Sequence, residues 1–204
     1  MSISASRLVD LVREVANAFS RSHVSHAVAG GVAVAAHGHQ RATKDIDLLI
    51  DATHAQQADT ALRALGFTPK FRDDGAGFIR YRRRPLPSVP ELVEWVDLLL
   101  ARRAVDRDML ECAARHPAHW HGIELPIVSV EGVVLMKLLS SIADPSRAYD
   151  RIDIVALLRA NIDAFDYAWV ENAGSAFGPE FVQTFRELAA AANAPLTPLR
   201  PTGL

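Results

Sequence analysis

Two aspartates one residue apart, Asp45 and Asp47, open the run Asp45-Ile46-Asp47-Leu48-Leu49-Ile50. In a strand, side chains at i and i+2 point to the same side. The two carboxylates therefore share one face, and Ile46, Leu48 and Ile50 bury the other. Adjacent carboxylates repel, so the pairing is unfavourable unless a cation lies between them. A hard divalent ion that prefers oxygen ligands, magnesium above all, suits such a pair. A third acid on another strand would complete a two-metal site. Asp97, inside the apolar run Glu94-Trp95-Val96-Asp97-Leu98-Leu99, is the first candidate, and Glu94, nearer the polar start, is the second. Upstream, Gly30-Gly31 stands where a strand turns into a helix. Glycines let a backbone approach phosphate oxygens, and a helix start offers unpaired N–H donors.

These residues need elements to carry them. Leu8, Leu11, Val12, Val15 and Phe19 recur at helical spacing, predicting an opening helix over residues 4–20. A short strand at 26–29 precedes the glycines, and a small-residue helix follows from Val32 to Ala36. After the Asp-x-Asp strand, residues 54–65 return to helix and stop at Gly66. Strands at 67–72 and 78–83 flank the loop Asp73-Asp74-Gly75-Ala76-Gly77. A proline-rich bridge (Pro85, Pro87, Pro90) leads to a strand at 93–100. Beyond it the pattern predicts helices at 105–114, 129–143, 148–160, 165–174 and 179–192, with an extended piece at 123–128. The fold class is α+β: a mixed sheet with flanking helices, then a helical half. We divide the chain into a catalytic region, 1–104, a mainly helical region, 105–194, and a frayed tail, 195–204.

The order strand, Gly-Gly, helix, Asp-x-Asp strand, later acidic strand says more than any one motif. The stretch from Ala29-Gly30-Gly31 to His37-Gly38, continuing through Arg41-Ala42-Thr43-Lys44-Asp45-Ile46-Asp47, resembles the nucleotidyltransferase superfamily of DNA polymerase β type. It looks most like the small bacterial AbiEii-type enzymes, many of them toxins of toxin–antitoxin pairs, and is also similar to aminoglycoside nucleotidyltransferases. The resemblance spans about residues 26–158. It implies a glycine turn (Gly30, Gly31) holding the triphosphate, with Arg41 and Thr43 beside it, and two magnesium ions on Asp45, Asp47 and Asp97. It also implies that Lys137, in Val134-Leu135-Met136-Lys137-Leu138-Leu139, faces phosphate, the alternative being a stem laid along the core with its amine in water. Asp150 and Asp153, one turn apart, would orient it or a nucleotide, or else pair with Arg147 and Arg151. The chain departs from the pattern in three places. Gly30-Gly31 replaces Gly-Ser, leaving Thr43 as a substitute hydroxyl. The gap from Gly31 to Asp45 is longer than in the toxins, and Ile142 stands where a second lysine is expected.

Composition narrows the setting. A formal net charge of −2 over 204 residues gives no global field for a polyanion, so any nucleic-acid contact needs a local patch. A single cysteine, Cys112, fits a reducing compartment and reads as a core residue. No apolar run approaches the ~20 residues that cross a membrane, and the reading places the protein in the cytoplasm. Arg80, Arg82 and Arg84 alternate and could form a cationic stripe for RNA or a triphosphate. The simpler reading, which we take, is a solvated hairpin edge, where charge discourages further pairing. His116, His119 and His121 lack the further ligands of a zinc site, and His37 and His39 read as polar turn residues.

The expectation is therefore a magnesium-dependent enzyme that moves a nucleoside monophosphate from a nucleoside triphosphate, ATP included, to an acceptor hydroxyl. The acceptor is expected to be tRNA or protein, with an antitoxin protein as a possible partner. An aminoglycoside-type small-molecule acceptor and a non-catalytic descendant that binds nucleotide or a partner are the alternatives.

Overall fold

Five of the expected strands form one sheet. In the computed structural model, which describes residues 4–84 and 93–193, they are β1 (His26–Ala29), β2 (Asp45–Asp51), β3 (Thr68–Asp73), β4 (Phe78–Arg83) and β5 (Glu94–Ala101), in the order β1-β2-β5-β4-β3. β2 and β5 run parallel, and the other neighbours are antiparallel. The sheet is mixed, with flanking helices, as the sequence led us to expect. The proline bridge and the tail 195–204 lie outside the described residues. Two compact units divide the chain, Met1–Val133 and Val134–Leu204.

In the first unit, α1 (Ala5–Arg21) and α3 (Ala55–Ala64) serve one face of the sheet. Ile46, Leu48, Ile50, Val96, Leu98, Ile79 and Tyr81 are buried there with Leu11, Val15, Phe19 and Leu62. Polar ties reach the same helices. Tyr81 donates its hydroxyl to Asp59 of α3 at 2.8 Å, and Arg83 meets Glu14 of α1 at 2.6 Å. Glu94, fully buried, takes Arg7 at 2.6 Å and Arg83 at 2.7 Å. Gly66, just past α3, has φ +85°, which its lack of a Cβ permits and which ends the helix where the sequence reading places its stop.

Two expectations change. The small-residue helix α2 (Gly30–Ala36) begins at the glycines themselves, two residues earlier than predicted. And β4 is no edge: it lies between β5 and β3, so Arg80 and Arg82 are interior to the sheet. The edge on this side is β3, exposed along its whole length, where Pro69 is tolerated and Lys70 and Arg72 supply the discouraging charge. α4 (Ala104–Arg115) follows, then a hairpin of β6 (Ala118–Trp120) and β7 (Ile123–Leu125); β7 takes the first three residues of the extended piece predicted at 123–128, and β6 was not foreseen. His121 and Gly122, both at positive φ, make its turn, and His119 faces Glu124 at 3.7 Å.

α5 (Val130–Ala143) leads into the second unit, with α6 (Ala148–Ala160), α7 (Tyr167–Ser175) and α8 (Pro179–Asn193). Their limits fall within two residues of those predicted. Phe165, Tyr167 and Phe185 cluster between α7 and α8, with centroids 4.8–6.3 Å apart. Among the described residues no helix is long and apolar enough to cross a membrane.

Candidate active site

The parallel register of β2 on β5 decides the geometry. Asp47 stands directly opposite Asp97, and Asp45 opposite Trp95. Residues paired across neighbouring strands project to the same side, so Asp45, Asp47 and Asp97 share one face of the sheet. Glu94, the second-choice acid, faces the other way, into α1 and β4. Of the two acids of β5, only Asp97 joins the pair.

The glycine turn meets the same face. Ala29 of β1 is the partner of Asp47, and Gly30 follows at φ +55°. A Cβ built on Gly30 would lie 1.8 Å from Asp47 Oδ2. At Gly31 a Cβ would meet Thr43 Oγ1 at 2.6 Å and Arg41 Nη2 at 3.2 Å. Thr43 in turn donates its hydroxyl to Asp45 Oδ1 at 3.2 Å. Gly30, Gly31, Arg41, Thr43, Asp45 and Asp47 therefore form one contiguous group, as the motif order suggested.

Sequence reasoning missed the neighbour on the far side. Arg80 of β4 is the register partner of Asp97. Its Nε–H donates to Asp97 Oδ1 at 2.8 Å, its Nη2 to Asp97 Oδ2 at 2.5 Å, and the same Nη2 lies 3.5 Å from Asp45 Oδ2. One row across three strands thus reads Asp47, Asp97, Arg80. Beside it Asp45, Trp95 and Arg82 form a second row, and the Arg80 guanidinium stands 5.5 Å from the Trp95 ring and 5.7 Å from Phe78. The signal was the alternation of Arg80 with Arg82, read from the sequence as a hairpin edge and pointing to the acids only once β4 is placed beside β5.

The electrostatics follow from burial. The Asp97 side chain is 3% exposed. Burial pushes its carboxyl above the ordinary range and Asp45 adds to the rise, while Arg80 pulls the other way. The hydrogen bonds to Asp97 raise Arg80 in turn, which stays charged throughout. Among the described residues no three His, Cys, Asp or Glu side chains converge closely enough to hold a metal ion as they stand. The donor chemistry nevertheless fits a hard cation. Three carboxylates share a face, no Cβ crowds Asp47, and a positive group already rests on two of the three.

The second unit contains the remaining candidates. Lys137, 7% exposed, places Nζ 2.7 Å from Asp150 Oδ1 and 2.7 Å from Asp153 Oδ2. Arg147 adds a contact to Asp150 Oδ2 at 2.6 Å. Burial would raise Asp150, but the bonds from Lys137 and Arg147 outweigh it and hold the carboxyl below its ordinary value. Asp150 and Asp153, one turn apart on α6, thus grip the Lys137 amine between them.

No protein-family model and no curated protein matches the chain. Solved structures do. The chain is 17% identical to ANT(2'')-Ia, solved in complex with adenylyl-2''-tobramycin, over 92% of this chain and 99% of that one, with a TM-score of 0.59. An antigenic nucleotidyltransferase-like protein from Paracoccidioides brasiliensis aligns at 20% identity over 95% of both chains, with a TM-score of 0.56. The lincosamide antibiotic adenylyltransferase LnuA, lincomycin-bound, aligns at 16% identity over 77% of this chain and 98% of its own, with a TM-score of 0.51. At this level of identity the likeness establishes the architecture, and the chain has the nucleotidyltransferase fold.

Proposed function

We propose that the chain is a divalent-metal-dependent nucleotidyltransferase that moves a nucleoside monophosphate from a triphosphate such as ATP to an acceptor hydroxyl, releasing pyrophosphate. The observation that carries this reading is the alignment of Asp47 opposite Asp97, with Asp45 on the same face and Gly30 against Asp47. Asp45, Asp47 and Asp97 would hold the magnesium ions. Bound there, the metal would neutralise phosphate charge and lower the pKa of the attacking hydroxyl. Asp97, buried beside the other two, would accept the hydroxyl proton. Gly30 and Gly31 would let the triphosphate approach the backbone, with Arg41 and Thr43 flanking it. Lys137, held by Asp150 and Asp153, would offset charge on the departing pyrophosphate. Catalysis of this kind is mostly positioning and charge compensation.

The acceptor we favour is RNA, tRNA in particular, or a protein, in a toxin-like setting with an antitoxin partner in the cytoplasm. Arg82 and Trp95, in the row beside the acids, support an anionic, base-bearing acceptor, since Arg82 stacks 6.0 Å over the Trp95 ring. A small-molecule acceptor is the second reading, favoured by the likeness to ANT(2'')-Ia and LnuA.

Incubation with each labelled triphosphate, magnesium, total RNA, cell protein and a panel of aminoglycosides and lincosamides tests both. Label on RNA or protein supports the first acceptor, and label on an antibiotic supports the second. Asp45→Asn should end transfer with the fold intact; normal turnover by that variant would remove Asp45 from the metal site. No label on any acceptor would leave the non-catalytic descendant.

A further inference from the structure

Arg80 uses the same oxygens that a metal would need. Its bidentate contact occupies both oxygens of Asp97, and Nη2 also leans toward Asp45. A guanidinium is permanently charged and offers donors only, so it cannot join a metal's ligand shell. A divalent ion bound by Asp97 and Asp45 would lie within ion-pair distance of it, and two cations that close repel strongly in a partly buried site. Yet Asp97 without any partner would be an uncompensated buried charge, which is strongly unfavourable. The carboxylate therefore needs a cation at all times and has room for one kind at once.

We propose that Arg80 is a resident counter-ion of Asp97 that the divalent metal must displace, so that metal affinity is set by an exchange of cations. This rests on the reading of Asp45, Asp47 and Asp97 as the metal site. The aromatic surroundings suit such a device. Phe78 and Trp95 flank the guanidinium at 5.7 and 5.5 Å while it holds Asp97, a favourable contact that does not depend on the carboxylate. At 39% exposure the Arg80 side chain also has open space to move into.

Manganese titration, followed by the electron paramagnetic resonance of free Mn2+, tests the exchange on the full chain. Wild type is compared with Arg80→Ala and Arg80→Gln, with Asp47→Asn as the control for the site itself. Both arginine variants should bind Mn2+ at least about tenfold more tightly than wild type, the scale expected when one competing charge at ion-pair distance is removed. In chelator both should melt below wild type and recover more than wild type does when Mn2+ is added. In the wild type, the Arg80 Nε–H resonance should shift as Mg2+ saturates, a readout that needs no variant to fold. Equal or weaker Mn2+ affinity in the variants, or an Arg80 resonance that ignores Mg2+, would overturn the exchange while sparing the metal site. Absence of binding by every protein, wild type included, would overturn both.

Discussion

The carboxylate of Asp47 occupies the space in which a side chain at Gly30 would begin, with Oδ2 1.8 Å from the position of a Cβ there. Sequence and site are tied at this one contact. The first prediction follows from it. Gly30→Ala must accept φ +55° with a Cβ, which costs about 1–2 kcal/mol by itself. It must also push Asp47 out of line with Asp97. Thermal unfolding should register the loss of stability, and labelled-nucleotide transfer should fall to background. Gly31→Ala meets Thr43 instead, 2.6 Å from Oγ1 and 2.8 Å from Cβ. These contacts are less close than those at Gly30 and spare Asp47, so its effect should be the smaller, although rotating the hydroxyl alone does not clear it. A Gly30→Ala protein with wild-type melting and transfer would contradict the geometry.

The two acids of β5 should separate cleanly. Glu94 is enclosed by Arg7 and Arg83, so Glu94→Gln should lose about 1.5–3 kcal/mol, the range for hydrogen bonds to charged groups. Transfer should persist wherever the variant is folded. Asp97→Asn gives up a pair whose arginine is partly exposed, so stability should stay within about 1 kcal/mol of wild type. Its transfer should vanish. Urea titration paired with the transfer assay reads both, and the reverse pattern would exchange their roles.

Local pattern made much of this visible in advance, and non-local pairing hid the rest. Asp45 and Asp47 could be placed on one face from spacing alone, because strand periodicity is a local property. The hairpin of β3 and β4 was equally legible, since its turn joins them directly. Arg80 was not. Its meaning depends on β4 pairing with β5 on its second side, and nothing between residues 78 and 83 encodes that choice. Charge alternation reads as an edge when the second neighbour is unknown. Lys137 lies between these cases. Its partners follow 13 and 16 residues later on the next helix; the family resemblance suggested them, and neither spacing nor periodicity foretold the bonds themselves.

The Lys137 grip is the next test. Its amine separates two buried carboxylates, so Lys137→Met should cost about 3–5 kcal/mol in urea unfolding, the range for breaking one side of a buried pair. Adding Asp153→Asn should restore part of the loss, because the second change removes the charge that the first left unpaired. Strict additivity of the two would mean that they do not interact. If Lys137 also serves phosphate as proposed, transfer by folded Lys137→Met will drop well beyond the fraction unfolded.

His26 makes stability sensitive to mild acid. Its ring is buried at the start of β1, packed edge-on against Phe19 at 5.5 Å, and one nitrogen, Nδ1, lies 2.8 Å from the Val24 carbonyl. The other, Nε2, has no partner among the described residues, so a second proton there would be buried without an acceptor among them. Burial pushes the imidazole below its ordinary value, and the Val24 carbonyl offsets only part of that. The folded chain therefore binds fewer protons than the unfolded chain once pH drops below about 6.5, the ordinary histidine value. The contribution is complete above that point and declines as pH falls from it toward the depressed native value. Melting temperature should decrease between pH 7.5 and pH 5.5, a span above the range where most carboxylates titrate. His26→Phe, which keeps the packing on Phe19 and cannot protonate, should flatten that slope. A slope unchanged in His26→Phe would move the acid sensitivity to another group.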